Sequence, residues 1–150
     1  MILDDYPLVA DCLKLVLGRE SDLLVCEHRP LLPESIRDVW VARADVLLVG
    51  IETQPARGLA LVGELARRWP LIPVIVLSGR PGLRAQSVLD VGASGFVAHS
   101  EGSTELVAMI RQLASRGTAS ERLGSVFRGS SHDEFHRRVG FKRSCFDGSV

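Results

Sequence analysis

Two hydrophobic periods alternate along this 150-residue chain, and that alternation restricts its fold more than any other feature. "DVLLVGI" (Asp45–Ile51) and "PVIVLSG" (Pro73–Gly79) are unbroken apolar runs, as expected of parallel strands covered on both faces. "LLVCEH" (Leu23–His28) and "SGFVAH" (Ser94–His99) are shorter runs with strand character. Between them the period lengthens to three and four residues. In "LVADCLKLVLG" (Leu8–Gly18) the residues Leu8, Val9, Cys12, Leu13, Val16 and Leu17 share a predicted helical face, with Pro7 and Gly18 where helices start and stop. "LPESIRDVWVAR" (Leu32–Arg43), "GLALVGELARRW" (Gly58–Trp69), "GLRAQSVLDVG" (Gly82–Gly92) and "STELVAMIRQLASRG" (Ser103–Gly117) repeat that period. Trp40 and Trp69 read as packing residues. In the last helix Ser103 is a candidate cap, Glu105 lies at the positive end of the dipole and Gly117 is the expected stop. Five β-α pairs in succession imply a parallel sheet, right-handed crossovers and helices on both faces.

In such sheets the working groups lie at the C-terminal ends of the strands. Four ends matter: Asp4-Asp5, Gly50, Ser78 and His99. Paired acids after a first strand can hold a hard cation through oxygen. A hydroxyl after the fourth strand can donate to a phosphoryl oxygen, and a cation after the fifth can neutralise the same anion. These groups surround the end of the third strand, where an aspartate would be a phosphoryl-accepting nucleophile. Here that residue is Gly50.

The succession "DDYPLV", "RRWPLIPVIVLSG", "VGASGFVAHS" and "TELVAMIRQLA" resembles the receiver domain of bacterial response regulators, in particular the subgroup that carries a helix-turn-helix output domain. The resemblance runs from Ile2 to about Gly117. It implies a flavodoxin-like (βα)5 doubly wound sheet with strand order 2-1-3-4-5. It also places the family's phospho-accepting aspartate on Gly50 and its lysine on His99, with the loop from Ser78 to His99 one residue shorter. Asp4, Asp5 and Ser78 match the acid pair and the hydroxyl. Phe96 matches the aromatic whose rotamer reports activation; the alternative is a fixed core or rim aromatic. Glycine cannot attack phosphorus, so the usual phosphorylation is not expected. Mg2+ held by Asp4 and Asp5 alone would be weak, because a third carboxylate is missing and like charges stay uncompensated. No other cofactor is expected. The two acids could equally be vestigial, one capping the next helix and the other exposed, and Ser78 could satisfy a nearby backbone group. His99 would replace lysine only in part, being charged at lower pH; otherwise it is a polar strand end. Glu52, two residues past Gly50, could approach the pocket and imitate a permanently charged state.

Residues 1–116 are therefore expected to be a receiver-like domain, and 117–150 a flexible or partly ordered tail. By count from Thr118 the tail holds six basic and four acidic residues, without helix-turn-helix spacing. Only Met1, Ile2 and Leu3 precede the acid pair, so the first strand looks truncated; the true start is expected upstream, or the domain is marginal. Eighteen basic and eighteen acidic residues give no global field for nucleic acid or membrane. No apolar run approaches the roughly 20 residues that span a bilayer, and Cys12, Cys26 and Cys145 fit no metal pattern. Cys12 and Cys26 are expected inside hydrophobic elements, as reduced thiols of a cytoplasmic protein. No nucleotide fingerprint or nucleophile–base pair suggests an enzyme. The expected role is protein contact or homodimerisation through the fourth helix, fifth strand and fifth helix, about Leu83–Arg116. Two alternatives stay open: a small-molecule sensor whose pocket is enlarged at Gly50, and a fragment of a DNA-binding regulator.

Overall fold

The computed structural model describes residues 1–37 and 44–127. At its centre is β4, Val74–Ser78, whose five residues are all buried. A strand of valine, isoleucine and leucine can sit there only with cover on both faces, and it has that cover. β3 (Leu47–Gly50) pairs with it in parallel, Leu47 opposite Val74 and Gly50 opposite Leu77. β5 (Gly95–Ala98) pairs on the other side, Val76 opposite Phe96 and Ser78 opposite Ala98. β1 (Ile2–Leu3) lies beside β3, and β2 (His28–Arg29) beside β1. The sheet is fully parallel with order β2-β1-β3-β4-β5, the doubly wound order of a flavodoxin-like fold.

Alternate strand residues feed two separate cores. On one face Leu3, Leu47, Val49, Val74 and Val76 meet Ile36 of α2 (Pro33–Arg37), Leu61, Val62 and Leu65 of α3 (Pro55–Arg68) and Val88 of α4 (Ala85–Asp90). On the other, Ile2, Leu48, Ile75, Leu77 and Val97 meet α1 (Pro7–Leu17) and α5 (Gly102–Phe127) through Ala10, Leu17, Leu106, Val107, Ile110 and Leu113. Each fully buried aliphatic side chain contributes roughly 1.5–3 kcal/mol, so the two faces hold the strand ends in place. Gly58 tightens the arrangement at the site. A Cβ there would stand 2.8 Å from Ile51 Cγ2, so only glycine lets α3 cross so near the end of β3.

Several expectations are corrected. The ladder of β2 is confined to His28–Arg29 rather than spanning Leu23–His28, because its partner β1 offers only two residues. The inward face of α1 is carried by Ala10 and Leu17, whereas Leu8 and Cys12 are exposed. Cys26 is exposed as well. Of the expected face Leu13 packs against the same core and Val9 and Val16 are half-buried, so only Leu8 and Cys12 depart from it. α3 begins at Pro55, three residues before Gly58, and Trp69 caps its end. Helix α5 starts at Gly102, so Ser103 is inside it, and it runs past Gly117. An interior glycine costs a helix only about 1 kcal/mol, so Gly117 does not by itself end it. Trp40 and the rest of the expected second helix lie outside the described residues, as does the tail beyond Phe127.

Met1–Thr118 forms one compact unit; of the second, Ala119–Val150, the described part is the helical run to Phe127. Among the described residues no helix is long and apolar enough to cross a membrane.

Candidate functional site

Parallel pairing brings the C-terminal ends of β1, β3, β4 and β5 to one edge of the sheet, and with them Asp4, Asp5, Gly50, Ser78 and His99. The decisive contact is between the first and third of these. Asp4 is only 2% exposed, and a Cβ built at Gly50 would overlap its Oδ2 and stand 2.6 Å from its Cγ. The carboxyl of Asp4 thus lies where a side chain at position 50 would begin. The enlarged pocket expected at Gly50 is not there, because the neighbouring acid has folded into the space.

Asp4 is also fastened by the chain around it. Its Oδ1 accepts the Tyr6 amide at 2.7 Å, its own amide donates to the Arg29 carbonyl at 2.9 Å, and its carbonyl lies 3.0 Å from His28 Nε2. Burial pushes its pKa up from the usual aspartate value. The Tyr6 amide and His28 oppose that rise, while the nearby charges of Asp5 and Glu52 add to it. Asp5 turns to a different partner, accepting the Leu31 amide at 2.9 Å. Neither acid caps α1, whose N-cap Tyr6 has no side-chain cap bond.

Ser78 is buried and its hydroxyl donates to the Ile51 carbonyl at 2.6 Å, while its oxygen accepts the Arg80 amide at 3.2 Å. The hydroxyl is satisfied by backbone. Among the described residues no buried side-chain nitrogen or oxygen lacks a partner. His99 opens a 3-10 turn, His99–Glu101, and its Nε2 is 3.5 Å from Glu52 Oε1. The same Glu52 oxygen accepts the Gly79 amide at 2.7 Å, and the Glu52 carbonyl accepts Arg80 Nη1 at 2.7 Å. Phe96 is half-buried on β5 and packs against the core under α3 and α4.

The site therefore divides in two. Asp4 fills the space beside Gly50 and Asp5 braces the loop after β2. Ser78, Glu52 and His99 gather at the ends of β3, β4 and β5. Sequence reasoning placed all of the strand-end residues and missed the anchoring by Glu52 and Arg80. Their signal was position, two residues past Gly50 and Ser78, where a turn can fold back. Between β3 and α3 lies a dimple of about 20 Å³ lined by Asp5, Gly50, Glu52, Thr53 and Arg57 among others. That is room for about one water, against the few hundred cubic ångströms of an ordinary ligand pocket.

Asp4 and Asp5 do not fit a divalent cation well. A hard ion wants several charged oxygens converging on one point; here one carboxyl is buried with a raised pKa and the other accepts a backbone amide elsewhere. Among the described residues no three His, Cys, Asp or Glu side chains cluster so as to hold a metal ion.

A two-faced, five-stranded parallel sheet with acid, hydroxyl and imidazole at its strand ends defines a doubly wound signalling-type module. The chain belongs to the response regulator receiver domain family, whose model matches residues 1–111. Among solved structures it is similar to the apo receiver domain of nitrogen regulatory protein C, at 26% identity and a TM-score of 0.63, over 77% of this chain and 92% of that one. A CheY-like receiver domain protein from Methanospirillum hungatei JF-1 matches at 18% identity and a TM-score of 0.66, over 79% and 94%. RcsB from Salmonella enterica serovar Typhimurium, solved on promoter rprA with phosphomimetic BeF3-, matches at 23% and a TM-score of 0.63, over 93% and 80%. The last two likenesses concern the fold alone. No curated protein matches the chain. Receiver domains are typically non-enzymatic signalling modules that act through other proteins.

Proposed function

We propose that this chain is a receiver domain that works by protein contact, without accepting a phosphoryl group at the end of β3. One observation carries the reading: the residue there is Gly50, and the carboxyl of Asp4 occupies the space its side chain would take. A nucleophile on residue 50 would need an oxygen of its own and room for phosphorus beside it; Gly50 has no side chain, and the Asp4 carboxyl fills the adjoining space. The partly satisfied acid pair supports at most weak Mg2+ binding, since ionising buried Asp4 beside Asp5 is costly. The resemblance favours a role in two-component signalling or transcriptional regulation in the cytoplasm. It also favours contact with a protein partner or a second copy through α4, β5 and α5, about Leu83–Arg116. The dimple beside Gly50 weighs against a small-molecule sensor, being too small for a metabolite.

The test is direct. The protein is incubated with acetyl phosphate and Mg2+ and its intact mass is measured, with a receiver that retains its aspartate as control. The expected result is an unchanged mass while the control gains a phosphoryl group. A stoichiometric phosphoryl adduct on an aspartate of this chain would overturn the proposal.

A further inference from the structure

The sheet ends at β2, and among the described residues no strand pairs with its outer side. The chain is extended well ahead of the two-residue ladder. Leu23 and Val25 pack against the core under α1 and α5, while Leu24 and Cys26 are exposed, and that two-residue alternation carries the strand back to Leu23. The carbonyls of Glu27 and Arg29 accept the Ile2 and Asp4 amides, so they face β1. The backbone groups of Leu24, Cys26 and His28 therefore face outward. Natural edges are blunted with lysine or proline. Leu23–Arg29 contains neither, and Leu24 is 88% exposed.

We propose that this edge pairs with the same edge of a second copy, antiparallel about a two-fold axis at Cys26. In that register the outward groups of Cys26 meet those of the second copy's Cys26, and those of Leu24 meet the second copy's His28, about six hydrogen bonds in all. The exposed leucine is then covered by the facing His28 and Cys26. The neighbouring registers are worse. Centring at Glu27 sets that carboxylate directly against its own copy, and centring at His28 sets Cys26 against Pro30, which has no N–H to give. Charge favours a second copy over a charged peptide. Glu27 and Arg29 pair with each other at 2.6 Å, and eighteen basic against eighteen acidic residues leave no net repulsion between copies. The contact lies at the sheet edge opposite β5, so it goes beyond the proposed function and leaves α4, β5 and α5 free. It is small and therefore weak, with half-assembly expected at about 0.1 mM.

The experiment uses the full chain. Sedimentation equilibrium from about 10 µM to 1 mM is expected to show monomer and dimer exchanging with concentration. Changing Cys12→Ser and Cys145→Ser leaves Cys26 as the sole thiol, and oxidation with copper phenanthroline is then expected to give a disulfide-linked dimer. Directly opposed residues of a hydrogen-bonded antiparallel pair stand about 5.5 Å apart at Cα, within disulfide reach. Leu24→Lys is expected to weaken the dimer about tenfold or more and to suppress the cross-link, with the Tm of dilute protein unchanged. Leu89→Lys, on α4, is expected to change neither, which separates this contact from one through α4, β5 and α5. A chain that stays monomeric throughout that range, a dimer that Leu24→Lys leaves intact, a dimer that does not cross-link through Cys26, or one lost with Leu89→Lys would each overturn the proposal.

Discussion

The two halves of the sheet are held together by different means. From β3 to β5 the strands pair over four residues each, and apolar side chains on both faces supply the stability. From β2 to β1 and from β1 to β3 only two pairs are formed on each side. There side chains take over from the ladder: His28 reaches the Asp4 carbonyl, Asp5 accepts the Leu31 amide, and Asp4 accepts the Tyr6 amide. The acid pair thus braces the half of the sheet with the short ladder. The imidazole at the other half turns to Glu52.

The largest effect that could break this contrast is expected at Leu3, fully buried on the short side. Leu3→Ala should cost about 3 kcal/mol by urea unfolding, because a two-residue strand has no further ladder to fall back on. A loss near zero would mean that β1 is dispensable. Gly50→Asp comes next. Its Cβ collides with the Asp4 carboxyl and it adds a third negative charge, so a loss of about 2 kcal/mol is expected. Asp4→Ala in the same chain should recover much of it; a stable Gly50→Asp single variant would show that Asp4 moves aside easily. Asp5→Ala removes the acceptor of the Leu31 amide and should cost about 1 kcal/mol, with increased hydrogen exchange confined to the loop after β2.

The smallest effect sharpens the comparison most. A raised pKa means that folded Asp4 keeps its proton to higher pH than the unfolded chain does. That contribution is complete below the unfolded value, is lost as pH rises through the folded value, and leaves ionised Asp4 a liability at neutral pH. Asp4→Asn, which keeps an acceptor for the Tyr6 amide, should therefore unfold about 0.5 kcal/mol later than the parent at pH 7. The advantage should vanish as the pH falls below the unfolded value.

Much of this could be read from the sequence, for identifiable reasons. "PVIVLSG" reads as a strand covered on both faces, because it is short, wholly apolar up to Ser78 and carries three consecutive β-branched residues. With β3 and β5 found in the same way, Gly50, Ser78 and His99 fell at one edge. What escaped were features set by geometry between elements. The length of β2 depended on β1, and Leu8 and Cys12 of α1 lie at the margins of its inward face. The fold of Asp4 into the space beside Gly50 depended on a rotamer that no periodicity encodes. Glu52 lay beyond its strand, where the two-residue alternation no longer says which way a side chain points.

The central claim is that the Asp4 carboxyl is buried against Gly50 and has become part of the scaffold. Carbon-detected NMR titration of the Asp4 side chain in the parent protein measures this directly. The account predicts a midpoint above the ordinary aspartate value of 3.8, with the Tyr6 amide shifting in step. A midpoint at or below that value would place the carboxyl in solvent or on a cation, and would contradict it.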